Sequence, residues 1–211
     1  MAPLRVVLAD DHLILRQALK ALLESHGLQV VADVADGRAA IEAVDQLAPD
    51  VVVLDVAMPV LNGIDAAREI SHVKPRPHMI LLSGLDDPRW VPEALRIGVR
   101  GFVLKTQGAD DLLRAIDKVR DGALFVSPGA AQAMIDACMA GTPSGSEQLS
   151  PRERQVLQLV AEGKSTKGIA QALRISVKTA EFHRGRVMRK LSIHDTAGLV
   201  RYAIREGMIA P

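Results

Sequence analysis

The 211-residue chain is 48% apolar and 24% charged, the balance of a globular protein with room for two domains, each burying its own core. Its net charge of +1 hides an asymmetry: residues 1–122 carry 14 Lys/Arg against 18 Asp/Glu, net −4, while residues 149–211 carry 12 against 5, net +7. With no apolar run near ~20 residues and a single Cys138, the sequence excludes a membrane-spanning helix and an intramolecular disulfide; the stretch after Met1 has no signal-peptide layout, and cytoplasmic residence is expected.

In chain order, residues 4–9 read as a strand and 12–26 as a helix with Leu15, Leu19, Leu22 and Leu23 on one face. Strands follow near 29–34, 51–54, 79–82 and 101–104, with helices near 38–48, 63–73, 87–97 and 109–121. Gly27, Pro49, Pro75, Gly98 and Gly122 punctuate the helix exits. Five strands alternating with five helices predict a doubly wound five-stranded parallel sheet with helices on both faces.

Residues 123–148 form a linker with a helix near 129–140, ahead of the breaker-rich Gly141-Thr-Pro-Ser-Gly-Ser146. From Leu149 the pattern is helical in four short segments, near 151–162, 166–173, 177–191 and 195–206. Ser150-Pro151-Arg152-Glu153 has the order of a capped helix start. Val177, Ala180, Val187, Met188 and Leu191 supply a core stripe to the third segment. The domains expected are therefore 1–122, a linker over 123–148, and 149–211.

Asp10 and Asp11 follow the first strand, Asp55 the third, Ser83 ends the fourth, and Lys105 follows the fifth. Ligands of open α/β sheets bind at this carboxyl edge. Ordinary turn and cap roles for Asp account for one or two of these positions, but not for five complementary side chains on neighbouring strands. Three converging carboxylates repel one another. A hard cation such as Mg²⁺, with a few carboxylates and water, relieves this, and Lys105 adds a charge for a phosphoryl group on Asp55.

The basic tail fits a DNA partner, because phosphates dominate affinity and a helix fits the major groove. Residues 176–191 begin with a capping serine and are strongly basic; preceded by Lys167-Gly-Ile-Ala-Gln-Ala-Leu173, they make a helix-turn-helix.

Asp10-Asp11-His12, Val53-Leu-Asp55-Val-Ala-Met-Pro59, Leu82-Ser83 and Gly101-Phe-Val-Leu-Lys105 resemble the receiver domain of response regulators over about 4–121. The resemblance implies a flavodoxin-like fold and a sensor histidine kinase as phosphoryl donor. It makes Asp55 the phosphoacceptor and gives Mg²⁺ ligands from Asp11, Asp55 and the Ala57 carbonyl, with Asp10 acting through water. It makes Lys105 the phosphoryl partner and Ser83 with Phe102 the switch pair, the ring turning inward. Thr106 stands where many receivers have proline. Ala57 and Leu85, apolar beside the path of an attacking water, point to slow self-dephosphorylation.

Leu149-Ser-Pro-Arg-Glu-Arg-Gln-Val-Leu, Glu162-Gly-Lys-Ser-Thr-Lys-Gly-Ile-Ala, Ile175-Ser-Val-Lys-Thr-Ala-Glu-Phe-His-Arg and Met188-Arg-Lys-Leu resemble the LuxR-type helix-turn-helix over about 149–208. Together the halves are similar to NarL/FixJ response regulators, transcription regulators that bind duplex DNA. On that resemblance Glu181, Phe182, Arg184 and Gly185 reach bases, and Thr166, Lys167, Lys178, Thr179, Arg186 and Arg189 reach phosphates. Leu199, Val200 and Tyr202 make the contact of a homodimer formed on phosphorylation or on DNA. Gly168 replaces the family's usual acid. Two alternatives stand beside this reading: a phosphorelay or partner-binding receiver without a DNA role, which the basic tail argues against, and an aspartyl-phosphate phosphohydrolase. The latter needs an acid two residues beyond the nucleophile, where this chain has Ala57.

Overall fold

The structure, a computed structural model, describes residues 2–84, 91–106, 108–131, 135 and 149–209. Its N-terminal part alternates β1 (Arg5–Ala9), α1 (Leu13–Ser25), β2 (Gln29–Val34), α2 (Gly37–Leu47), β3 (Val51–Asp55), α3 (Gly63–Ile70), β4 (His78–Ser83), α4 (Val91–Ile97), β5 (Gly101–Leu104) and α5 (Ala109–Arg120). The sheet is parallel with strand order β2-β1-β3-β4-β5. Every residue of β3 and β5 is buried, as a sheet covered on both faces requires. One face packs Val7, Val52, Leu54, Leu81 and Phe102 against α2, α3 and α4; the other packs Leu8, Val53, Leu82 and Val103 against α1 and α5.

The sheet has a sixth strand, β6 (Phe125–Val126), parallel to β5, where the sequence predicts five strands and a linker. Phe125 N–H donates to the Arg100 carbonyl at 2.8 Å and Ser127 N–H to the Phe102 carbonyl at 2.9 Å. Two residues are too few for any periodicity, so the strand has no sequence signal. Of the helix expected near 129–140, residues 128–131 and Ile135 are helical; the rest of it, with Cys138 and the breaker-rich run, lies outside the described residues.

The C-terminal part contains α6 (Pro151–Ala161), α7 (Thr166–Ala172), α8 (Val177–Leu191) and α9 (Thr196–Arg205). Short polar side chains start each one: Ser150 with Glu153 as a reciprocal capping box, then Ser165, Ser176 and Asp195, each accepting from a backbone N–H in the first turn. Their core is Leu149, Val156, Leu157, Val160, Ile169, Ala180, Val187, Leu199, Tyr202 and Ala203. Val177, expected in this core, is 44% exposed at the first helical position of α8. Leu199 is fully buried and Tyr202 is 8% exposed. Of the three residues expected at a dimer contact, these two thus take part in the domain's own core, and Val200 is half-exposed.

Gly63 shows how tightly the carboxyl edge is built. A Cβ there would lie 2.1 Å from the Asp55 carbonyl oxygen, backbone that cannot move aside. Gly63→Ala should cost about 1–3 kcal/mol, the usual range for overpacking. Urea unfolding checks it; a midpoint equal to wild type would mean the loop has more room than its geometry shows.

Candidate functional site

Strand order places the site. The chain leaves β1 toward β2 on one side and β3 lies on the other, so a cleft opens between the ends of β1 and β3, as at the switch point of doubly wound sheets. Asp10 and Asp11 follow β1 and Asp55 is the last residue of β3. Lys105 reaches in from the end of β5: its Nζ lies 2.7 Å from Asp10 Oδ2 and 2.8 Å from Asp55 Oδ2. Its backbone N–H donates to the Ser83 carbonyl at 2.7 Å, tying the end of β5 to β4 and directing the side chain into the cleft despite Thr106.

Asp10 and Asp55 are buried, while Asp11 and His12 stand at the rim. His12 Nδ1 lies 2.7 Å from Asp11 Oδ1, and His12 N–H donates to Asp10 Oδ1 at 2.8 Å. Burial pushes the Asp55 carboxyl up to about 6, against the opposing pull of Lys105. For Lys105, burial works against the charge, but Asp55 and Asp10 outweigh it and the ammonium is held above its usual range.

Asp10, Asp11, His12 and Asp55 offer ligand atoms within 4.8 Å of one another. Asp10 Oδ2 and Asp55 Oδ2 are buried and accept no hydrogen bond of good geometry. That donor set is what a hard, oxygen-seeking cation satisfies. Ala57 N–H faces Asp55 Oδ1 at 3.4 Å. Ser83 is buried at the end of β4, and the Phe102 ring already lies inward, fully buried. Leu85 lies outside the described residues.

Three residues beyond Asp55, at Met58, the chain meets its C-terminal part, which sequence reasoning did not anticipate. Residues 56–62 form the loop from β3 to α3, and α6 holds it. Gln158 is fully buried there: its Nε2 donates to the Met58 carbonyl at 2.6 Å and its Oε1 accepts from Asn62 N–H and Nδ2, both at 3.0 Å. Glu162 Oε1 accepts from Val60 N–H at 2.9 Å and from Gln158 Nε2 at 2.9 Å. Burial raises the Glu162 pKa. Gln155 Nε2 donates to Glu69 at 3.0 Å, and Arg154 lies 3.4 Å from Asp65 and 3.3 Å from Glu93. Arg68 pairs with the same two acids. The only signal in the sequence is that Arg154, Gln155, Gln158 and Glu162 recur at helical spacing, which marks a face but not its partner.

α8 lies apart from this contact. Lys178, Glu181, Phe182, Gly185, Arg186 and Arg189 are exposed on it, and Lys167 on α7; Thr166 and Thr179 are half-buried. Two expected DNA contacts already have protein partners. Arg184 Nη2 donates to Thr196 Oγ1 at 2.9 Å. Arg186 Nε lies 3.2 Å from buried Glu153, whose other oxygen takes Lys190 at 2.7 Å.

Residues 6–117 match the response regulator receiver domain, and residues 147–203 match the luxR family of bacterial regulatory proteins. The transcriptional regulatory protein MctR of Rhizobium johnstonii is 35% identical over 209 residues, covering 98% of this chain and 96% of that protein. The oxygen regulatory protein NreC of Staphylococcus aureus is 32% identical over 215 residues, covering 98% and 99%. Among solved structures, RcsB from Salmonella enterica serovar Typhimurium bound to promoter P1flhDC with the phosphomimetic BeF3- aligns with TM-score 0.65. It is 28% identical and covers 94% of this chain and 97% of that one. An acidic, lysine-closed cleft on a parallel sheet, joined to a capped helix-turn-helix, thus belongs to a NarL/FixJ-type response regulator with a receiver domain and a LuxR-type DNA-binding domain.

Proposed function

We propose that Asp55 accepts a phosphoryl group from a sensor histidine kinase and that the modification controls transcription through DNA binding by α8. The observation that carries this is the convergence of Asp55, Asp10 and Lys105 at 2.7–2.8 Å at the root of the loop that α6 grips. With its pKa near 6, Asp55 is mostly ionised at neutral pH. Its oxygen forms a bond to phosphorus as the donor's nitrogen–phosphorus bond breaks, and the leaving imidazole takes up a proton. Lys105 then pairs with the new phosphoryl oxygens. Asp11, Asp55 and the Ala57 carbonyl would hold Mg²⁺, with Asp10 through water, and the ion supplies charge neutralisation for the transfer. Ser83, at the end of the neighbouring strand, is the hydroxyl that turns to the phosphoryl group.

On the DNA side, Glu181 and Phe182 face bases with Gly185 between turns, and Lys178, Thr179, Lys167, Thr166 and Arg189 take phosphates. Arg184 is the weaker base reader, since Thr196 already holds it. The active form is a homodimer in the cytoplasm, with α9 around Leu199, Val200 and Tyr202 at its contact. Because α8 is exposed while α6 is held, control runs through the orientation of the DNA-binding domain rather than through covering its reading helix. A ligand shifts such an equilibrium only through different contacts in the two states. Here the contacts are those of Gln158 and Glu162 with residues 58–62.

Acetyl phosphate with Mg²⁺ should add one phosphoryl group to wild type and none to Asp55→Ala by intact mass; equal labelling of both would sink the assignment. Lys105→Ala should be labelled without a gain in DNA affinity.

A second outcome concerns stability. The native Asp55 pKa lies above the usual carboxylate value, so the native state binds the proton more tightly than the unfolded chain does. Stability from this group is full below about pH 4 and falls as pH rises to about 6. Asp55→Asn should therefore gain on metal-free wild type across that window, reaching about 2–3 kcal/mol by pH 7. Urea midpoints at pH 4 and 7 check it, and a constant difference would contradict it.

Gln158→Ala should raise the DNA affinity of the unphosphorylated chain and shrink the ratio between phosphorylated and unphosphorylated affinity. Fluorescence anisotropy measures both, and an unchanged ratio would show that the α6 contact does not transmit the signal.

A further inference from the structure

Resting on the reading that α8 enters the major groove, we infer that Phe182 selects thymine through its C5-methyl group, and that Arg186 and Glu153 hold the ring in position for this. Within 149–209, Val177 at 44% and Phe182 at 60% are the exposed large apolar side chains. Both lie on α8, the helix that also carries Lys178, Arg184, Arg186, Arg189 and Lys190. Helical spacing puts Lys178, Phe182, Gly185, Arg186 and Arg189 on one face, opposite the buried Ala180 and Val187. An exposed aromatic ring flanked by cations has lost apolar burial in the free protein, and a polyanion with apolar groups in its groove returns it. The thymine methyl is the apolar group that the major groove presents. A Cβ at Gly185 would meet nothing within 4 Å, so the helix backbone there is open to close approach beside the ring.

The ring has two neighbours on the helix surface. The Arg186 guanidinium lies 5.6 Å from the Phe182 centroid, and the His183 ring stands edge-on at 5.7 Å. Arg186 is anchored in turn by Glu153 at 3.2 Å, a fully buried carboxylate that also caps α6. Glu153, Arg186 and Phe182 form a chain from core to surface. This makes Arg186 a positioning residue for the ring and removes it from the phosphate contacts that its charge implies.

Replacing thymine by uracil deletes only the methyl, which tests the contact atom by atom. The full chain, phosphorylated with acetyl phosphate and Mg²⁺, selects duplexes from a random pool, and the selected duplex is remade with uracil at each thymine in turn. Wild type should lose about four-fold in affinity at one thymine or more per half-site, which is ~0.8 kcal/mol at ~1.4 kcal/mol per decade. Phe182→Ala should bind thymine and uracil duplexes equally there while still binding DNA. Phe182→Leu should keep part of the discrimination. Indifference of wild type to uracil at every position, or full discrimination by Phe182→Ala, would overturn the assignment to Phe182. Selection of no sequence at all would overturn base reading by α8 and this inference with it.

Discussion

A carboxylate that would rather be neutral sits at the centre of this protein. Asp55 is buried at the end of a central strand, and its only cationic neighbour at contact distance among the described residues is Lys105 at 2.8 Å. Lys105 must serve Asp10 at 2.7 Å as well. One cation between two buried carboxylates leaves negative charge uncompensated, and burial accordingly drives Asp55 up to about 6. Such a site is costly in stability and suits a hard cation, whose charge would offset both the carboxylates and an added phosphoryl group. Structure that only had to be stable would not keep it.

The same strand end sets the route outward. Asp55 is followed at once by residues 56–62, and Gly63 is needed because α3 starts against the Asp55 carbonyl. The loop's outer peptide groups at 58, 60 and 62 are hydrogen-bonded by the buried Gln158 and the partly buried Glu162. A buried polar contact of this kind adds little net stability but is specific in geometry, since each unmade bond leaves a desolvated group. It suits a joint that must open. Apolar packing of the same area would have been a permanent weld.

Much of this was legible in the sequence because local signals and global fold agree. Ser150 and Ser176 cap the helices they were expected to start, and β2 and α8 begin and end where their patterns do. The carboxyl-edge residues were readable because strand ends are fixed by β-branched runs, and the sheet then brings together residues far apart in sequence. What escaped was set by tertiary contact alone. β6 pairs through backbone over two residues. The Gln158 and Glu162 contacts depend on a partner that helical spacing cannot name.

Hydrogen exchange at the Val60 and Asn62 amides tests the account most directly. Both donate to α6 side chains, at 2.9 and 3.0 Å, so their protection reports the joint itself. The amides should be protected in the unphosphorylated full chain and lose protection when Asp55 is phosphorylated, in step with the gain in DNA affinity. Protection that stays the same in both states while DNA affinity rises would contradict the account, because the signal would then reach the DNA-binding domain by another path.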